Sequence, residues 1–155
     1  MFLLDSHCDT PSQILRLRDL SIDNDHAHVD FPKLRKGGVD GAFFALYVPA
    51  SKEEEEAYVY SQRLLGAVRA SIEANSDKAA FAVSQDQAYI NKQCGKFSVF
   101  LGLENGSPIG HSIDKLHEFY QDGVRYITLC HSRDNHICDS CASATGRWGG
   151  LSPFG

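Results

Sequence analysis

Residues 39–48 read VDGAFFALYV, a nearly continuous apolar run of strand length. A strand with one wet face alternates apolar and polar residues. One that is apolar at consecutive positions is covered on both faces, as strands are in a parallel sheet flanked by helices. Residues 97–103 (FSVFLGL) have the same character, and the apolar run at 2–4 and the stretch 124–130 supply two further strands.

Helix signals fall between these runs. Residues 11–18 predict a short helix, with Pro11 early and Ile14 and Leu17 three apart. The polar stretch 21–28 reads as a loop. Asp30 is placed to cap a helix over 31–36 that Gly37-Gly38 stops. Ser51 and Glu54 have the spacing of a capping box, and the acidic run 53–56 suits the first turn, where the helix dipole favours negative charge. That helix should run to about Asn75, with Leu64, Leu65, Val68 and Ile72 as its apolar stripe. Residues 79–83 suggest a minor strand, and Ser84 with Gln87 opens a helix through Lys92 that Gly95 breaks. Ser112 caps a helix over 113–121, with Leu116 and Phe119 inward, and Gly123 ends it.

Strands alternating with helices imply an α/β fold with a parallel sheet, either an open doubly wound sheet or a (β/α) barrel. Both bind ligands at the carboxyl ends of their strands. Here those ends carry His7 and Asp9, Tyr47, Glu104 and His131. No internal repeat or low-complexity stretch divides the chain, so residues 1–155 are expected to form part of one domain without an internal boundary.

With 155 residues, 43% of them apolar, the chain can bury a real core. Its net charge of -5 is dispersed, with no basic stripe to track phosphates, so nucleic acid is not an expected partner. No apolar run approaches the ~20 residues that cross a bilayer, and no leader pattern precedes the first strand. The expectation is a soluble, cytoplasmic protein. Five cysteines, an odd number without framework spacing, favour reduced thiols. The closing stretch WGGLSPFG has the residues of a connection with nothing after it, which suggests a piece of a longer chain.

The first strand ends in alternating Asp5, His7 and Asp9, and strand geometry would point all three to one face, with Cys8 on the other. An imidazole nitrogen and a carboxylate suit zinc or a similar divalent ion. A histidine near an aspartate is commonly just a hydrogen-bonded pair. Burying these three groups together at a strand end, however, requires a compensating charge, and a metal ion supplies it. Glu104 ends a second strand ahead of the turn Asn105-Gly106-Ser107-Pro108. Alone it would be a solvated strand end; beside His7 and Asp9 it becomes a third candidate ligand, since a carboxylate can place one oxygen on each of two metals. His131 either caps locally or binds substrate and a developing oxyanion, and spacing does not choose between these. His131, His136, Cys138 and Cys141 are all ligand types. They are too cramped for the two facing pairs of a structural zinc site, so Cys138 and Cys141 read as reduced loop thiols. His26, His28, His111 and His117 read as surface residues.

DSHCDTP at 5–11, HVDFPKLRKGGVDGAFF at 28–44, LENGSPIGHSID at 103–114, GVRYITLCH at 123–131 and GLSPFG at 150–155 together resemble the membrane dipeptidase family, also called renal dipeptidases. The resemblance implies a (β/α)8 barrel of the TIM type with two zinc ions, hydrolysing dipeptides by a metal-bound hydroxide and often tolerating a D-residue at the C-terminal position. It further implies that His7 and Asp9 bind the first metal and that Glu104 bridges both. His131 would contact substrate or tetrahedral intermediate, and Tyr47 would line the pocket. A (β/α)8 barrel takes ~250 residues. The expectation is therefore an incomplete barrel of about four β/α units, with at most one well-liganded zinc and no activity in isolation. An open half barrel would pair with its missing half or self-associate. Another amidohydrolase-like metal hydrolase acting on a different amide, or a non-catalytic binding module, are the alternatives.

Overall fold

The computed structural model describes residues 1–52 and 54–155. The sheet is built on β4 (Phe97–Glu104) and β2 (Gly41–Tyr47), which pair in parallel from Gly41 opposite Ser98 to Tyr47 opposite Glu104. β1 (Leu4–Cys8) pairs in parallel with the outer side of β2. The far edge of β4 is shared: β3 (Ala79–Phe81) runs along Phe97–Val99, and β5 (Val124–Thr128) runs along Leu101–Glu104. The full-length rungs are therefore β1, β2, β4 and β5 in spatial order, with β3 as the minor strand expected from residues 79–83.

Alternation along β2 and β4 sorts their side chains onto two faces. Phe44 and Leu46, with Val99, Leu101 and Leu103, face α3 (Glu54–Ala74) and meet Leu64, Leu65, Val68 and Ile72 in the main core. The opposite face carries Phe43 and Tyr47, with Ser98, Phe100, Gly102 and Glu104. Phe43 stacks on Phe100 at 4.9 Å between centroids. Ala88 of α4 (Gln85–Gln93) packs on Phe100, and Asn91 Nδ2 of the same helix donates to Ser98 Oγ at 3.2 Å. α4 thus closes the amino-terminal half of this face, and Glu104 stands at the other end.

The caps follow the sequence closely. Asp30 accepts from the Lys33 amide at 2.9 Å and starts α2 (Phe31–Lys36). The helix ends in a Schellman turn: Val39 N–H donates to Leu34 O and Gly38 N–H to Arg35 O, with Gly38 at φ +69°. Ser84 accepts from the Gln87 amide, but the Gln87 side chain returns to Val83 N–H, one residue further back than a standard capping box. α5 spans Ile113–Gln121 behind Ser112, with Phe119 fully buried.

Two expectations shift. α1 is only Thr10–Ile14, because the chain turns left-handed at Leu17 (φ +67°); Leu17 is exposed and Arg18 turns into the loop to reach Val29 O. α3 begins at Glu54, later than a cap at Ser51 would start it. Glu53, within the acidic run, lies outside the described residues.

A candidate metal centre at the carboxyl ends of the strands

His7, Asp9 and Glu104 meet. His7 Nε2 lies 3.5 Å from Asp9 Oδ1 and 3.3 Å from Glu104 Oε2. One ligand atom from each residue falls within 4.8 Å of the others, and this is the one such group of three among the described residues. His131 Nε2 approaches the other carboxylate oxygen, Glu104 Oε1, at 3.4 Å, and the Tyr47 ring meets the His131 ring edge-on at 5.1 Å. All five strand-end residues expected at the site are therefore neighbours.

The route differs from strict alternation. Between Asp5 and Cys8 the register of β1 on β2 slips by one residue, a bulge of the kind that re-aims side chains beside binding sites. Asp5 consequently leaves the cluster, and its carboxylate accepts from the His7 amide at 3.1 Å. Asp9 has left the strand and occupies the position before α1. Apart from Cys8, β1 is not buried, contrary to the expectation for this strand end. As the edge of the sheet, its residues 4–7 are exposed, and Asp9 is too. Cys8 does point away, into the main core, where its thiol meets Thr10 Oγ1 at 2.9 Å.

The least exposed member is Glu104, whose side chain is 12% exposed. Burial pushes its carboxyl above the usual range and the Asp9 charge adds to this, against the pull of His7 and His131. Its Oε2 is fully buried and has no hydrogen-bond partner. A half-buried carboxylate with an orphaned oxygen, beside a second carboxylate and an imidazole, is a donor set that a divalent cation completes.

Polar groups just beyond the strands fix these positions. Asn105, buried at φ +79°, donates from Nδ2 to Val48 O after β2 and accepts from Ser107 through Oδ1. Asn135 Nδ2 donates to Leu129 O, and lies 3.3 Å from Asn105 Oδ1. The segments leaving β2, β4 and β5 are thereby tied together, which sets Glu104 against His131. Residues 105–108 are thus more than a turn: Asn105 is the buried tie between the strand ends.

Tyr126 also belongs to the site, a role the sequence reading does not give it. It lies on β5 opposite Gly102, its hydroxyl is 2.9 Å from His7 Nδ1, and burial and the Glu104 charge push its phenol up to about 12. A tyrosine inside an apolar strand carries no flag of its own, but the glycine across from it in β4 does.

The cramped His and Cys cluster does not assemble as a metal site. Cys138 is buried, Cys141 is exposed, and His136 packs instead against His111 and Phe154 at 4.8 and 5.5 Å.

A parallel α/β sheet with a histidine and two carboxylates converging at its carboxyl edge has the layout of a metal-binding protein of the barrel type. The chain belongs to the membrane dipeptidase family, peptidase family M19, which matches residues 1–155. It is 31% identical to the dipeptidase ataJ of Aspergillus terreus, over 89% of this chain and 37% of that protein. Among solved structures it is similar to the probable dipeptidase PvdM from Pseudomonas aeruginosa (TM-score 0.82, 19% identity, 100% of this chain and 42% of that one). It is also similar to a metallo peptidase from Rhodobacter sphaeroides liganded with a phosphinate mimic of the dipeptide L-Ala-D-Ala (TM-score 0.79, 21% identity, 90% of this chain and 48% of that one). The chain thus spans less than half the length of these relatives, and its sheet is the incomplete barrel that the family resemblance implies.

Proposed function

We propose that the protein carrying this chain is a zinc-dependent dipeptidase, and that residues 1–155 form the first half of its single barrel domain. The observation that carries this reading is the convergence of His7, Asp9 and Glu104 at the carboxyl ends of β1 and β4. Membership of the dipeptidase family supports the reaction, and the L-Ala-D-Ala mimic held by the Rhodobacter sphaeroides protein supports dipeptides with a D-residue at the C-terminal position.

When bound, zinc supplies Lewis-acid polarisation of the peptide carbonyl and acidifies water enough to make it a nucleophile at neutral pH. His7 would hold the ion through Nε2 and Asp9 through a carboxylate oxygen. Glu104, which directs Oε2 toward His7 and Oε1 toward His131, would be the third residue to hold the ion. His131, partly exposed beside Glu104, can donate from its ring nitrogen to the substrate oxygen that gains charge as the carbonyl is attacked. Tyr47, edge-on to that ring, lines the same side of the substrate site. No side chain is needed as the nucleophile.

His7, Asp9 and Glu104 provide for one ion only, and the two-ion centre implied by the family resemblance would draw its other ligands from the rest of the barrel, so the 155-residue chain alone is expected to be inactive. Exposed Leu3 and Leu4 along β1 and Leu129 after β5 support the pairing of both sheet edges, with the rest of the barrel or with a second copy. No helix among the described residues is long and apolar enough to cross a membrane. Five free cysteines support a reducing, cytoplasmic location.

The test is hydrolysis by a protein of the relatives' length, loaded with zinc and offered dipeptides with L- and D-residues at the C-terminal position. Release of free amino acids, abolished by a chelator, is expected. Cleavage of cyclic amides with dipeptides left intact would replace this reading with another metal-dependent amide hydrolase.

A further inference from the structure

Neutral imidazole has one N–H and one bare nitrogen, and only the bare nitrogen takes a cation. In His7, Nε2 faces Asp9 and Glu104, while Nδ1 lies 2.9 Å from the hydroxyl of Tyr126. The ring can therefore serve the cluster only with its proton on Nδ1, and that N–H then needs an acceptor. In zinc sites this acceptor is usually a carboxylate or a backbone carbonyl. Here the group at hydrogen-bond distance is the phenolic oxygen.

The position of that oxygen is built into the sheet. Tyr126 lies across from Gly102, and a Cβ on Gly102 would come within 2.1 Å of the tyrosine ring, so the ring occupies the space that any other side chain would fill. Phe43 packs on it at 5.1 Å, and the His7 ring lies nearly parallel to it, 23° between planes. β1 is an exposed edge strand with a bulge, and a bond from the interior of β5 ties its imidazole to the opposite side of the sheet.

We propose that Tyr126 is the positioning residue of the metal centre: its phenolic oxygen accepts the Nδ1 proton of His7, which leaves Nε2 bare for the cation, and Gly102 is the seat that lets the phenol reach. The proposal rests on the metal-centre reading above and adds a residue behind the ligands.

Tyr126→Phe keeps the ring on its seat and removes only the acceptor. In zinc titration calorimetry the variant should bind about 10–100-fold more weakly than the wild type, the usual cost of losing a partner behind a ligand. A second readout is a long-range proton–nitrogen correlation spectrum of the zinc-loaded protein. It should show the wild-type His7 proton on Nδ1, protected from exchange with water, and Tyr126→Phe should lose that protection. Equal zinc affinity in the two proteins, or a wild-type His7 protonated on Nε2, overturns the proposal and leaves the metal centre standing. A wild type that binds zinc no better than His7→Ala overturns the metal-centre reading and the proposal with it.

Discussion

Glu104→Gln is expected to move zinc affinity and metal-free stability in opposite directions. The substitution keeps the length of the side chain and deletes its charge. Zinc affinity should fall more than about 100-fold, beyond the range seen when a residue behind a ligand is lost. The metal-free protein should at the same time become more stable by about 1–3 kcal/mol. In the wild type the buried Oε2 lacks a hydrogen-bond partner, and the nearby Asp9 charge raises the cost of ionising this carboxyl. A carboxylate that was merely a structural ion-pair partner would behave the other way, its loss lowering stability with no effect on metal. Urea unfolding with and without zinc, on wild type and variant, reads both quantities; a variant less stable than wild type in the absence of metal would show that Glu104 is already satisfied.

Asp30→Ala is expected to be the most destabilising single change outside the apolar core. Asp30 is fully buried and serves several partners: it caps α2 through the Lys33 amide, accepts from Asn24 N–H, and receives the Lys33 ammonium at 2.5 Å, with Arg18 at 3.7 Å. Removing one member of a buried charged pair costs about 3–5 kcal/mol, and the partial exposure of Lys33, which can turn to water, places this case at the lower end. Burial opposes the ionised form, but the hydrogen bonds from Lys33 and Asn24 prevail and hold the carboxyl below its ordinary value. Its contribution is therefore complete above the unfolded pKa of about 4 and is lost as pH falls through the lower folded value. The difference in urea midpoint between wild type and Asp30→Asn should be constant from neutral pH down to about 4 and shrink below it. A difference unchanged down to pH 2 would mean that the charge of Asp30 contributes nothing.

Local rules carried most of the fold. Asp30, Ser84 and Ser112 cap where their spacing says, because a side-chain cap depends on neighbours within three residues and on little else. The consecutive apolar residues of β2 and β4 gave a parallel sheet covered on both faces, since only that environment removes both sets of side chains from water. The carboxyl-edge cluster was legible because parallel strands bring their ends together, whatever their separation in sequence. What alternation could not supply was the bulge in β1, which depends on pairing with β2 and moves Asp5 out of the cluster. Equally hidden were Tyr126 and Asn105: each takes its role from residues across the sheet, Gly102 and His7 for the one, Val48 and Asn135 for the other. The exposure of β1 belongs to the same class, because the burial of a strand depends on what lies beside it.

The most direct measurement of the centre is X-ray absorption at the zinc edge of the loaded protein. Ligation by His7, Asp9 and Glu104 predicts a first shell of nitrogen and oxygen only, at about 2.0–2.2 Å, with imidazole scattering beyond it that disappears in His7→Ala. A sulfur shell at about 2.3 Å would place the metal on cysteine and contradict the account.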